Sequence, residues 1–227
     1  MVETAMRAII DHVGYGPHTA RRMTTQALFP TLIYTARLRT RGLEALNARL
    51  LRECRQLRAD DAAGRRWSAH NYPRGYTSYG SVNRMHELSP TFAFLARALA
   101  PHVARFARTL AFDLAGRPLA MTDCWVNVMG RGGSHGLHLH PLSTLSGTYY
   151  VAAPPNSAGL KLEDPRLERY MASPPRRARA RRARRPWVVL PARSGALILF
   201  ESWLRHEVPP NGAAAERVSV SFNYSWF

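Results

Sequence analysis

The stretch Gly133-Ser134-His135-Gly136-Leu137-His138-Leu139-His140-Pro141 decides how the rest of the chain is read. In extended backbone, side chains alternate between the two faces, so His138 and His140 point one way and His135 the other. Two imidazoles on one strand face are half a metal site, and a third donor has to come from a distant segment. Trp203-Leu204-Arg205-His206-Glu207-Val208-Pro209 offers one, His206, within a second apolar, strand-like block. Nine histidines in 227 residues fall two apart by chance often enough that the pair alone does not decide the matter.

The C-terminal block adds an independent signal. From Arg217 the alternation puts Arg217, Ser219, Ser221 and Asn223 on one face and Val218, Val220, Phe222 and Tyr224 on the other. A strand with one face in water reads the same way. An Arg two residues before a Ser, shortly after a candidate metal ligand, also makes a carboxylate clamp: a planar fork for bidentate pairing with a hydroxyl beside it.

His-x-His, a distal His and Arg-x-Ser, in that order, resemble the Fe(II)- and 2-oxoglutarate-dependent dioxygenases. The resemblance is closest to the small 2-oxoglutarate-Fe(II) oxygenases of bacteria and phages and runs from about residue 28 to the C-terminus. It is carried by Phe29-Pro30-Thr31, Gly75-Tyr76-Thr77-Ser78, Trp125-Val126-Asn127, Leu145 to Val151, Glu163-Asp164-Pro165-Arg166 and Gly195 to Leu204. Singly these motifs are weak; together they are specific. The resemblance implies a mainly β (α+β) protein with a double-stranded β-helix, or jelly-roll, core, N-terminal helices packed on one sheet, and a site inside the open mouth.

It also implies an oxidoreductase, a hydroxylase, that uses Fe(II), 2-oxoglutarate as co-substrate and O2 to oxidise an unactivated C–H of a small-molecule, amino-acid or peptide substrate. His138 and His206 match the two family histidines. His140 stands where many relatives carry Asp or Glu, so a three-histidine site competes with a rival in which Asp164 is the third ligand. Arg217 and Ser219 match the co-substrate clamp, and Tyr150 matches a tyrosine that in similar hydroxylases reaches the same carboxylate, although a core aromatic accounts for it equally well. Asn127 and Trp125 share a face and border the cavity in this reading.

Taken in order, residues 1–27 lack sustained periodicity and are expected to form a poorly ordered extension, with one jelly-roll domain over residues 28–227. Phe29 to Leu38 reads as a first strand. From Gly42, Leu43, Leu46, Leu50, Leu51, Cys54 and Leu57 recur at helical spacing. Residues 61 to 84 read as loop. Ser89-Pro90 is a helix start, and Pro101 is expected to break or kink the helix into two pieces. From Met121 the period becomes two, giving about seven short strands: Cys124 to Val128, His138 to His140, Thr148 to Ala152, Leu160 to Leu162, Trp187 to Leu190, Ala196 to Phe200 and Arg217 to Trp226.

Cys54 and Cys124 are too few for a disulfide framework and are expected to be buried thiols. No run of about 18 apolar residues reads as a membrane span, and a cytoplasmic protein is expected. The formal charge is +17 and the sequence pI about 11.2, which favours polyanionic partners. Lys161 is the lone lysine, however, and an Arg bias of this kind also arises from a GC-rich genome. Much of the excess lies in a basic loop, 166–186, above all in the run Arg176 to Arg185, expected to be mobile. Two other classes therefore stand beside the oxygenase: a nucleic-acid-associated basic protein with structural histidines, and a metal-binding jelly roll without 2-oxoglutarate chemistry. Arg217 argues against the second; the lack of aromatics within the run argues against the first.

Overall fold

The computed structural model describes residues 25–39 and 42–226. The extension expected over residues 1–27 lies, up to residue 24, outside them. The elements in chain order are β1 (Tyr34–Arg37), α1 (Leu43–Asp60), α2 (Ala62–Asn71), β2 (Gly75–Thr77), α3 (Met85–Leu88), α4 (Pro90–Thr109), β3 (Ala120–Met129), β4 (His135–His138), β5 (Leu145–Ala152), β6 (Leu160–Glu163), β7 (Trp187–Leu190), β8 (Ala196–Glu201), β9 (His206–Val208) and β10 (Arg217–Ser225). They form a six-stranded sheet in the order β1-β8-β5-β10-β3-β2 and a four-stranded sheet in the order β4-β9-β6-β7. Every strand pairing in both sheets is antiparallel, and together the two sheets make the jelly roll.

The large sheet buries both faces, each for its own reason. One face carries Cys124, Val126, Val128, Tyr149, Val151, Leu197, Leu199, Val218, Val220 and Phe222, which pack with Leu46, Leu50 and Cys54 of α1 and Phe92, Leu95, Leu99, Val103 and Phe106 of α4. Those helix residues recur at three- and four-residue spacing, so each helix shows one apolar stripe to the sheet. Both thiols are free and buried in this layer. The opposite face looks toward the small sheet. A second apolar cluster, including Tyr150, Leu160, Leu162, Leu190, Ile198, Phe200 and Leu204, fills part of that space; the polar residues of β10 fill the rest.

Ser89 caps α4 as its sequence predicts, its Oγ accepting from the amides of Thr91 and Phe92 and donating to Glu53 Oε2 at 2.5 Å. Contrary to expectation, Pro101 does not divide this helix, which runs unbroken from Pro90 to Thr109. The proline deprives the carbonyl of Arg97 of its partner, but both residues lie on the exposed side of the helix, which lowers the cost of that loss. The expected loop over 61–84 instead contains α2 and β2. Asp61 starts α2 by accepting from Gly64 N at 2.8 Å. The first strand is shorter than read: Phe29 adopts φ 55°, and pairing with β8 begins at Tyr34.

Candidate functional site

β10 is the floor of the site. Arg217, Ser219 and Asn223 are buried, Arg217 2% and Ser219 1% exposed, and Ser221 is half-buried, so the alternation read from the sequence is not that of a surface strand. Register extends this polar face sideways: Ser219 lies opposite Asn127 on β3 and Tyr150 on β5, Ser221 opposite Trp125 and Thr148, and Asn223 opposite Asp123 and Ser146. Directly paired residues share a face, so one surface carries Trp125, Asn127, Thr148, Tyr150 and the β10 residues. Asn127 donates from Nδ2 to Ser221 Oγ at 3.0 Å.

The small sheet is the roof. His138 pairs with His206, and His206 pairs with Leu162, placing the two imidazoles side by side in one row. His140 follows just beyond β4, where its amide donates to Ser202 O at 3.0 Å. Donor atoms of His138, His140 and His206 all lie within 4.8 Å of one another, close enough to share one metal ion.

Hydrogen bonds fix which nitrogen each ring presents. His138 Nδ1 donates to Gly136 O at 2.7 Å, and His206 Nδ1 donates to Leu204 O at 2.9 Å. A carbonyl can only accept, so Nδ1 carries the proton and Nε2 keeps its lone pair. His140 Nδ1 reaches Asn223 Oδ1 at 2.8 Å and Ser146 Oγ at 2.7 Å, and Asn223 Nδ2 in turn donates to Asp123 Oδ2 at 3.2 Å. The third ring is thus oriented by an amide that leans on a carboxylate, an outer-shell arrangement typical of metal-ligating histidines. Burial, and then the neighbouring imidazoles, push His206 down to about 2 and His140 to about 4, and burial lowers His138 as well. All three rings are therefore neutral at pH 7, the form that binds metal.

His135 departs from its expected direction. Between His135 and His138 the β4 ladder is bulged: three steps along β4 match two along β9, from Val208 to His206. The extra residue reverses the parity and turns His135 to the same side as His138. Its ring lies 4.0 Å from that of His138 and 4.9 Å from that of Tyr72, and it lines the same cavity. It is not one of the three whose donor atoms converge.

Arg217 ends the cavity. Its Nε donates to Ala158 O at 2.9 Å and its Nη1 to Ser219 Oγ at 3.2 Å, and its guanidinium lies 4.8 Å from the centre of the Tyr150 ring. Among the described residues no carboxylate lies within ion-pair distance of it. A buried cation with no counter-charge is costly, and here one face of it is open to the cavity. Tyr150, whose ring the guanidinium faces, does not itself line the cavity, and its hydroxyl is buried without a hydrogen-bond partner. An unpaired guanidinium and an orphaned phenol, next to a hydroxyl, fit an anionic ligand such as a carboxylate. Three neutral imidazoles fit a first-row divalent metal, Fe(II) as well as Zn(II), Ni(II) or Cu(II).

Asp164 is placed elsewhere. Its carboxylate takes both Nε and Nη2 of Arg166 at 2.9 Å and the hydroxyl of Tyr170. Burial alone would raise its pKa, but these hydrogen bonds outweigh it and hold the group down at about 2. It is not a member of the convergent cluster. Tyr72, which reading the sequence did not single out, lines the cavity as well. It follows α2, and its ring packs so closely on Gly75 that a Cβ there would come within 2.4 Å of it; its signal was hidden with that helix.

A jelly roll that turns three neutral imidazoles and an unpaired guanidinium into one cavity has the make-up of a site for a metal and an anion. Residues 123–223 match the family described as "Putative 2OG-Fe(II) oxygenase", and that segment contains all the convergent histidines and Arg217. Solved structures share the fold at low identity. A prolyl-4-hydroxylase from Pseudomonas putida is 16% identical, with a TM-score of 0.56 and coverage of 87% of this chain and 94% of its own. HygX from Streptomyces hygroscopicus, solved with nickel, 2-oxoglutarate and hygromycin B, is 15% identical, with a TM-score of 0.55 and coverage of 86% and 83%. A Trichoplax adhaerens prolyl hydroxylase, in complex with a hypoxia inducible factor peptide fragment, is 14% identical, with a TM-score of 0.54 and the same coverages. No curated protein matches this chain. No described helix is long and apolar enough to cross a membrane.

Proposed function

We propose that this protein is an Fe(II)- and 2-oxoglutarate-dependent hydroxylase acting on an unactivated C–H of a small-molecule, amino-acid or peptide substrate. The observation that carries this reading is Arg217, a buried guanidinium without a carboxylate, facing the cavity that the three histidines share. His138, His140 and His206 hold the metal through Nε2. Arg217 pairs with the distal carboxylate of 2-oxoglutarate. Because Ser219 Oγ already accepts from Arg217, its own proton is available to the same carboxylate, and the Tyr150 hydroxyl supplies a further donor. Asn127 and Tyr72 shape the walls.

When bound, Fe(II) and 2-oxoglutarate supply the oxidising power: O2 is divided between succinate and product, CO2 leaves, and R–H becomes R–OH. The chain's own part is to set geometry. Outer hydrogen bonds from Gly136, Leu204 and Asn223 keep each imidazole in one tautomer. The apolar rim of Leu160, Phe200 and Val208 limits water around the reacting groups. A ligand set of three histidines leaves the metal one unit more positive than two histidines and a carboxylate would, which tightens the hold on anionic 2-oxoglutarate. The test is succinate formation with Fe(II), ascorbate and 2-oxoglutarate across a panel of amino acids, peptides and small molecules. Substrate-stimulated succinate with a hydroxylated product supports the reading; no 2-oxoglutarate turnover under any condition overturns it.

A further inference from the structure

The connection between β6 and β7 is the most strongly charged segment of the molecule. From Asp164 to Pro186 it carries nine arginines against two acids. Its base is closed by the Asp164 amide donating to Pro186 O at 2.8 Å. That base lies beside the histidine cluster, because Leu162 pairs with His206 and the next amide, Glu163 N, donates to Arg205 O at 3.0 Å. β4 and β6 both run antiparallel to β9, so His140 and the basic segment leave the sheet at the same end. The loop therefore rises from the histidine end of the cavity, within about one strand spacing, roughly 5 Å, of the His206 strand.

The run is folded back rather than simply extended. Arg182 Nη2 donates to Val189 O at 2.9 Å, Arg185 Nε donates to Ala180 O at 2.9 Å, and a 3-10 turn spans Arg182–Arg184. These contacts hold like charges together. Arg176, Arg177, Arg179, Arg181, Arg182, Arg184 and Arg185 are all exposed, and among the described residues none has an ion-pair partner. A single-sign cluster held in this way calls for a counter-charge from outside.

We infer that this loop is a docking surface for an acidic segment of a peptide substrate, which it delivers to the histidine cavity. For the chemistry after binding, the inference rests on the oxygenase reading. Guanidinium forks pair bidentately with carboxylates, and exposed forks spread over ten residues suit an extended chain carrying several of them. Phosphates would also be attracted, but the run itself contains only Arg and Ala, and the aromatic of the same loop, Tyr170, already lies under the Arg176 guanidinium at 5.4 Å, which leaves no row of aromatics on which successive bases could stack. Trp203, 46% exposed in the turn that bonds to His140, offers an apolar contact beside the oxidised residue.

The test uses Arg177, Arg179, Arg181 and Arg184, whose side chains make no described hydrogen bond, changed together to Gln. Binding of a fluorescent glutamate-rich peptide is followed by anisotropy on metal-free protein, beside a lysine-rich peptide and a single-stranded oligonucleotide of equal length. The expected result is selective capture of the acidic peptide, weakened at least about tenfold in the variant and by raised salt. Melting temperature and peptide-independent succinate formation should stay unchanged. No capture, capture indifferent to the four changes, or tighter capture of the oligonucleotide overturns the inference. Loss of succinate formation in the variant also overturns it, since the loop would then serve the site's own structure. Absence of 2-oxoglutarate turnover in the unaltered protein would instead fault the oxygenase reading, and the binding data would stand apart from it.

Discussion

Replacing Arg217 with Met removes a charge while keeping much of the volume, and its effects with and without co-substrate should differ in kind. Without 2-oxoglutarate the buried guanidinium has no carboxylate to offset its desolvation, so its loss is nearly neutral. What remains is the Ala158 carbonyl, deprived of the Nε donor, a cost of about 1–3 kcal/mol that the relief of the buried charge opposes. With 2-oxoglutarate, truncating one member of a buried charge pair costs about 2–5 kcal/mol, which raises Kd at least roughly 30-fold. At a co-substrate concentration of about 100 Kd, the unaltered protein gains about 2.7 kcal/mol, or about 5–11 °C in melting temperature for a chain of this size. In Arg217→Met the same concentration gives about 0.9 kcal/mol or less, a rise of about 2–4 °C at most. The assay is a thermal melt of Mn(II)-loaded protein with and without 2-oxoglutarate, checked by calorimetry. A full co-substrate shift in the variant would refute the clamp.

Tyr150→Phe is expected to weaken 2-oxoglutarate binding about tenfold or more, the worth of one hydrogen bond to a charged group. The same change should leave the free protein as stable as before, or more so, because the hydroxyl it removes has no partner; equal 2-oxoglutarate affinity would return Tyr150 to a core role. Stability should fall as pH drops. Unfolded imidazoles take up protons near 6.5, whereas His135, His140 and His206 in the folded state resist them until about 3, 4 and 2, so the unfolded state binds more protons and is favoured progressively below pH 6.5. Because all three rings are held below the ordinary imidazole value, loss of metal affinity should be centred below pH 6.5, and a loss centred at 6.5 by Mn(II) titration would contradict the buried, neutral cluster.

The parts of this molecule legible in its sequence are those where a single period governs. Strict alternation from Arg217 to Tyr224 identified both faces of β10, and the 3.6-residue stripe identified α1 and α4. Reading failed where one local feature broke the period. The bulge around Gly136 and Leu137 reversed His135 without disturbing His138 and His140, which follow it. In α2 the buried positions are Gly64 and Ser68, so no apolar stripe marks the helix, and only the Asp61 cap announces it. With that helix went Tyr72. Pro101 misled for the opposite reason: the rule about lost hydrogen bonds holds, but its cost depends on whether the orphaned carbonyl faces water. Whether Asp164 or His140 converges with the other two histidines also lay beyond periodicity, since the two differ in tertiary position, one locked to Arg166 and the other turned toward His138 and His206.

The central claim is that three histidines and no carboxylate hold the metal. It is tested most directly by anaerobic titration of Fe(II) or Mn(II) into the unaltered protein, His140→Ala and Asp164→Ala. The expected result is one tight site per chain, retained in Asp164→Ala and lost in His140→Ala. Collapse of metal affinity in Asp164→Ala with survival in His140→Ala would contradict it.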